Sequence, residues 1–191
     1  HLRTRRQRQM CIRDSVAAEG LVAFAVDGTT GSAIELNAET DFVSRNETFQ
    51  QVVGEVATLS LKAGGDIDAL LGMDYPSTGR SVADEVTHQV ATIGENMNLR
   101  RTATLSVSDG VVAGYMHNAV TPVMGKIAVL VALESSGDKE KLGALAKQIA
   151  MHVAATNPAS TTVDDLDPAL LEREKNVLTC LLYTSDAADE S

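Results

Sequence analysis

The chain has 191 residues, enough for one domain or two small ones, and a formal net charge of −10. Such acidity argues against a nucleic-acid surface, because phosphates are met by Lys and Arg. The longest apolar run, 127–133, is far short of a membrane span, and the basic N-terminus lacks the apolar stretch of a secretory signal.

The two ends are expected to be foreign. The DNA that can encode Arg5 to Asp14 is nearly the reverse complement of the DNA that can encode Cys180 to Asp189. That shared element resembles a transposase sequencing adapter read from both sides of a fragment. Residues 1–15 and 180–191 are therefore expected to be non-native tails, set aside from the fold. Without their five Arg, three Asp and one Glu, 11 basic and 22 acidic residues remain, a formal charge of −11. Both cysteines, Cys11 and Cys180, go with the tails. The rest has no thiol for a disulfide, a nucleophile or a Cys-based metal site.

Gly20 to Asp27 is apolar and partly β-branched, which predicts a strand. Asp27-Gly28 begins a hairpin turn, and Ser32 to Glu39 predicts the returning strand. The glycine-containing turn lacks the Lys and the spacing of a phosphate-binding loop. At Glu39-Thr40-Asp41-Phe42-Val43 the strand gives way to a helix. Thr40 and Asp41 are expected to cap the coming turn, and Phe42 then either tucks inward as a staple or points outward as an anchor.

Phe49, Val52, Val56, Leu59 and Ala63 recur at helical spacing, predicting a helix over 47–63 that Gly64-Gly65 ends. Asp66 to Arg80 is expected to be an irregular connection. Ser81-Val82-Ala83-Asp84 resembles a capping box, and Val82, Val86, Val90 and Ile93 give the apolar stripe of a helix ending at Gly94-Glu95-Asn96. Met97 to Val107, Val111 to Ala119 and Lys126 to Glu134 are predicted strands. The last is a continuous apolar run, as in a strand buried on both faces. Asp138 to Ala155 is a predicted helix with Leu142, Leu145, Ile149 and Val153 as its stripe, ended by Asn157-Pro158. Asp167-Pro168 opens a final helix that runs into the C-terminal tail, so the native sequence is expected to continue beyond it.

The predicted fold class is α+β, in two small subdomains of order β-β-α-α-β and β-β-α-α. The expected boundaries are 16–108 for the first subdomain and 109–179 for the second, which is expected to be incomplete.

Three histidines lie outside the tails, with no HxH or HExxH spacing, so no metal site is expected. His88 is expected on a solvated helix face and His152 to be packed or hydrogen-bonded. His117, in Gly114-Tyr115-Met116-His117-Asn118, lies at a strand end beside a loop and is the candidate functional histidine. No nucleophile elbow is present and the carboxylates are scattered.

Four stretches, in this order, resemble the bacterial elongation factor Ts family. They are Glu35 to Val43 continuing through Asn46 to Gln50, Ile93 to Arg101, Gly114 to His117, and Ile149 to Pro158. The resemblance covers essentially 17–178. It implies a two-subdomain α+β core and no cofactor or catalytic residue. It further implies a cytoplasmic guanine-nucleotide exchange factor, not an enzyme, acting on the GTPase elongation factor Tu, GDP-bound and nucleotide-free, in translation. No direct nucleic-acid or membrane partner is implied. By that resemblance Thr40, Asp41, Phe42 and Val43 face the GTPase domain. Phe42 inserts between the partner's helices, Asp41 helps hold the contact, and the bound Mg2+ is disturbed. His117 belongs to a second contact near the partner's phosphate-binding loop. The helical module with which the family begins, and its later C-terminal portion, have no match here. Two further readings are an acidic interaction fragment without exchange activity and a small-molecule enzyme using His117.

Overall fold

The computed structural model describes residues 19–160 and 163–186. Residues 1–15 and 187–191 of the expected foreign tails lie outside the described residues. The chain forms two compact units, 1–155 and 156–191. The described part of the first holds β1 (Glu19–Asp27), β2 (Thr30–Ala38), a 3-10 turn (Asp41–Arg45) and α1 (Glu47–Ala63). It continues with α2 (Ile67–Leu71), α3 (Val82–Ile93), β3 (Met97–Ser106), β4 (Gly110–Thr121), β5 (Met124–Glu134) and α4 (Lys139–Thr156), whose last residue opens the second unit. That second unit contains a short 3-10 turn (Val163–Asp165) and α5 (Pro168–Asp186). The α+β class holds, and the order differs from expectation by one short helix, α2.

All five strands belong to one antiparallel sheet of order β3-β2-β1-β5-β4. The sheet is built from two long ladders. β1 pairs with β2 from Glu19↔Ala38 to Asp27↔Thr30, closed by a two-residue turn with Gly28 at φ 58°. β3 extends that ladder on the far side of β2. β4 and β5 form the second ladder, from Gly110↔Glu134 to Thr121↔Met124. Among the described residues the strand pairing between the two ladders is brief, at Val22↔Gly125 and Ala23↔Met124, with Phe24 N–H donating to Val123 O beside it. This brief junction leaves most of β5 without a second strand beside it. The apolar run 128–133 is accordingly half-buried and Ile127 exposed, not buried on both faces as expected.

The core lies between α1 and the β1–β3 ladder. Leu21, Ala23, Ile34 and Leu36 face Phe49, Val52, Val53 and Val56, and Leu70, Tyr75, Val82 and Leu99 enclose them. The predicted α1 stripe is the buried face, since residues at i, i+3 and i+7 share one side of a helix. Local signals fix most ends. Asp66 accepts from the amides of Asp68 and Ala69. Ser81 accepts from Asp84 N, and Asp138 from Glu140 N and Lys141 N. The Asp66 cap explains why 66–80, read as irregular, starts with a helical turn.

The α4 stripe is rotated from the predicted one. Ala146 and Ala150 are its buried residues, Leu142, Ile149 and Val153 flank them, and Leu145 is exposed. His88 is exposed on α3, and His152 is exposed on α4.

Candidate partner-docking site

The chain leaves β2 at the buried Ala38 and turns into α1 within eight residues. The 3-10 turn Asp41–Arg45 divides its side chains sharply. Val43 is 3% exposed and packs into the core, while Phe42 is 73% exposed. Ser44 is buried, and Asp41 and Arg45 are exposed. At three residues per turn, Phe42 and Arg45 fall on the same outward side. Of the two dispositions open to Phe42, the outward one is realised. A single exposed apolar residue is ordinary on a protein surface. What sets Phe42 apart is how firmly its backbone is held.

Behind Phe42, Asn46 N–H donates to Val43 O at 2.9 Å, and Asn46 caps α1 by accepting from Phe49 N at 3.1 Å. Ser44 Oγ donates to Gly20 O at 3.2 Å, and Gln50 Nε2 donates to Ser44 O at 2.8 Å. Ahead of Phe42, Thr40 N–H donates to one oxygen of Glu95 at 3.0 Å, and Thr40 Oγ1 donates to the other at 2.6 Å. The expected cap role of Thr40 and Asp41 is corrected here. Thr40 stands at the N-cap position of the 3-10 turn, but its side chain makes no cap hydrogen bond. Its hydroxyl is directed to a carboxylate, a stronger acceptor than the turn's own backbone could offer it. The cap of α1 is Asn46.

His117 sits near the end of β4. Gly114 passes under the Phe24 ring, so closely that a Cβ there would overlap Phe24 Cε2. From Gly114 the strand alternates, with Met116 buried and His117 exposed. The Tyr115 hydroxyl is 3.5 Å from His117 Nδ1, with ring centroids 6.3 Å apart. Asn118 follows with φ 51°, and the β4–β5 register shifts between Ala119 and Thr121. Ile127, opposite His117, and the nearby Val120 and Val123 are all exposed. His117 thus stands among exposed apolar side chains with a tyrosine, not a carboxylate, at its ring nitrogen. Among the described residues, no group of three or more His, Cys, Asp or Glu could hold a metal ion.

The turn and the second ladder share one tether. Gly20 O, which accepts from Ser44, also accepts from Lys126 Nζ at 3.1 Å, and Lys126 pairs with Glu19. Gly20 has φ +120°, and a Cβ there would strike Leu36 O and the backbone of Asn37. Only glycine lets β1 approach β2 this closely at that angle. Glu95, Ser44 and Gly20 were not among the predicted site residues. Glu95 was findable from the register alone: Ala38 pairs with Met97, and two further steps along each strand bring Thr40 opposite Glu95.

A sequence profile described as Elongation factor TS matches residues 39–190. The chain belongs to the elongation factor Ts family. It is 56% identical over 163 residues to elongation factor Ts of Parvibaculum lavamentivorans, covering 85% of this chain and 53% of that protein. The figures for elongation factor Ts of Rhodospirillum centenum are the same. That of Rhizobium meliloti is 53% identical over 161 residues, covering 84% of this chain and 52% of the relative. The chain therefore spans about half the length of the curated relatives it matches. The matched elongation factor Ts region begins at Glu39 and takes in the Phe42 turn, Glu95 and His117.

Proposed function

We propose that the chain acts in translation elongation as the docking core of a guanine-nucleotide exchange factor. Its partner is the GTPase elongation factor Tu, in GDP-bound and nucleotide-free forms, in the cytoplasm. Thr40, Asp41 and Phe42 engage the GTPase domain, and Val43, expected beside them, is held in the core and anchors the turn from behind. Phe42 enters between two of the GTPase domain's helices, Asp41 supports that contact, and the resulting displacement weakens the hold on Mg2+ and GDP. His117 and its apolar rim form a second contact on the phosphate-loop side. Residues 16–108 and 109–179 carry the two contacts as two subdomains, a division favoured by the brief junction between the sheet's two ladders.

The observation that carries this reading is Phe42, 73% exposed on a turn fixed ahead of it and behind it. A bound GDP with Mg2+ is held mainly by electrostatics, and a wedge acts on it without bond chemistry. A factor that binds the nucleotide-free partner more tightly must weaken nucleotide binding by the same factor. Truncating a central aromatic anchor costs about 2 kcal/mol or more of binding, roughly thirtyfold.

The test is release of labelled GDP from elongation factor Tu with and without the chain. Acceleration that Phe42→Ala removes supports the wedge. Binding without acceleration points instead to an interaction fragment, and a chain that neither binds nor accelerates ends the exchange reading.

A further inference from the structure

We infer that Glu95 is a positioning residue for Phe42: its carboxylate grips Thr40 through both the backbone N–H and the hydroxyl, and so fixes the turn that presents the ring. For its effect on exchange this rests on the docking role proposed for Phe42. For its effect on the turn it rests on geometry alone.

The contact stands where the β2–β3 ladder would otherwise end. Ala38↔Met97 is the last backbone pair of that ladder. Beyond it the backbone of Thr40 has turned away, and the Glu95 side chain takes over the role of the missing partner strand. Both carboxylate oxygens are engaged by one residue, at 3.0 and 2.6 Å. Two bonds to one rigid group fix orientation as well as distance, and both are strengthened by the charge. Thr40 is β-branched, so holding its hydroxyl also restricts its χ1 and the backbone behind it.

Glu95 is itself well anchored. Gly94, in the left-handed region at φ 84°, closes α3 with its N–H on Val90 O at 2.9 Å. Met97, two residues later, is buried at the start of β3. The carboxylate thus projects from a three-residue link between a helix end and a strand. On the other side of Phe42, the bonds of Ser44, Asn46 and Gln50 do not depend on Glu95. Loss of Glu95 frees the leading end of the turn and leaves the trailing end and the core in place.

The experiment has two arms on the full chain. In the first, amide hydrogen exchange is followed over residues 39–46 in the parent and in Glu95→Ala. The expected result is loss of protection at the Thr40 amide by about tenfold or more, the scale of a charge-assisted hydrogen bond, with β1 and β2 unchanged. Unaltered protection at Thr40 overturns the inference. In the second, GDP release from elongation factor Tu is measured for Glu95→Ala, Phe42→Ala and the double variant. Glu95→Ala is expected to slow stimulated release about tenfold alone and to add nothing once Phe42 is gone. Additive losses would show that Glu95 acts apart from Phe42. Thr40→Val, which keeps shape and loses the hydroxyl, should show the same dependence on Phe42 if Glu95→Ala proves poorly folded. A parent chain that fails to speed GDP release sinks the exchange proposal, while the first arm still decides whether Glu95 holds the turn.

Discussion

Ser44 Oγ and Lys126 Nζ converge on one acceptor, the carbonyl oxygen of Gly20, at 3.2 and 3.1 Å. Ser44 lies two residues beyond Phe42, and Lys126 neighbours the strand partner of His117. The start of β1 is therefore a common mount for both proposed contacts. Its geometry depends on a φ of +120° that side chains rarely adopt and on a gap that no Cβ fits. Gly20→Ala is expected to destabilise the fold by about 2 kcal/mol or more, from backbone strain of 1–3 kcal/mol plus the clash. Urea unfolding of the parent and variant measures it. A change below about 0.5 kcal/mol, the range of ordinary surface substitutions, would show that the strand can relax there.

Two phenylalanines seven residues apart should behave oppositely. Phe49 is fully buried beneath β1 and β2, and Phe42 is 73% exposed. Phe49→Ala is expected to cost about 3–5 kcal/mol of stability through the cavity it leaves. Phe42→Ala should stay within about 0.5 kcal/mol while losing most of the stimulated GDP release. Chemical denaturation and GDP release on both variants separate the roles. A marked loss of stability in Phe42→Ala would return that ring to the status of a packing residue.

The difference between these rings marks where the sequence stops being informative. The spacing of Phe49, Val52 and Val56 identifies a buried face, because helical periodicity is local. The Asp27-Gly28 hairpin, the Ser81 cap and the stops at Gly64 and Gly94 are local too, and each lies where its residue types put it. Phe42 carries no such period, and its neighbours alone favour the inward staple over the outward anchor that the fold adopts. Thr40 misled for a related reason. A Thr before a turn has the chemistry of a cap, and its competing partner lies 55 residues away. In α4 the leucines outweigh the alanines in any hydropathy pattern, although Ala146 and Ala150 are the buried residues.

Charge placement gives a pH signature. A bulge between Glu35 and Leu36 in the β2–β3 register lets the consecutive residues Arg100 and Arg101 both reach Glu35. Burial pushes the Glu35 carboxyl upward, but the hydrogen bonds from the two arginines outweigh it and leave it below its ordinary 4.5. Glu85, only 2% exposed, behaves alike. Burial raises it, and hydrogen bonds from Gln89, Thr78 and Arg80 bring it below 4.5.

A carboxylate lowered in the folded state stabilises the fold above its unfolded value and loses that contribution as pH falls through the folded value. The urea midpoint should therefore drop as pH falls below about 4.5. Glu85→Gln should be less stable than the parent at neutral pH, and the gap should narrow in acid. A gap that stayed constant or widened on acidification would mean that Glu85 contributes through shape, not charge.

The second contact offers the sharpest separation of scaffold from surface. Gly114 and His117 lie three residues apart on β4, one pressed on Phe24 and the other exposed. Gly114→Ala must displace the Phe24 ring, which is itself buried against the junction of the ladders. Overpacking of this kind costs about 1–3 kcal/mol. His117→Ala removes an exposed ring whose polar contact is with Tyr115 and should leave stability within about 0.5 kcal/mol. If His117 serves the second contact, its loss should weaken association with elongation factor Tu while sparing the fold. Titration of labelled elongation factor Tu with the two variants, alongside their unfolding curves, compares the effects directly. Unchanged association by His117→Ala would remove the histidine from the contact. It would leave the apolar rim of Val120, Val123 and Ile127 as the part of that edge to test next.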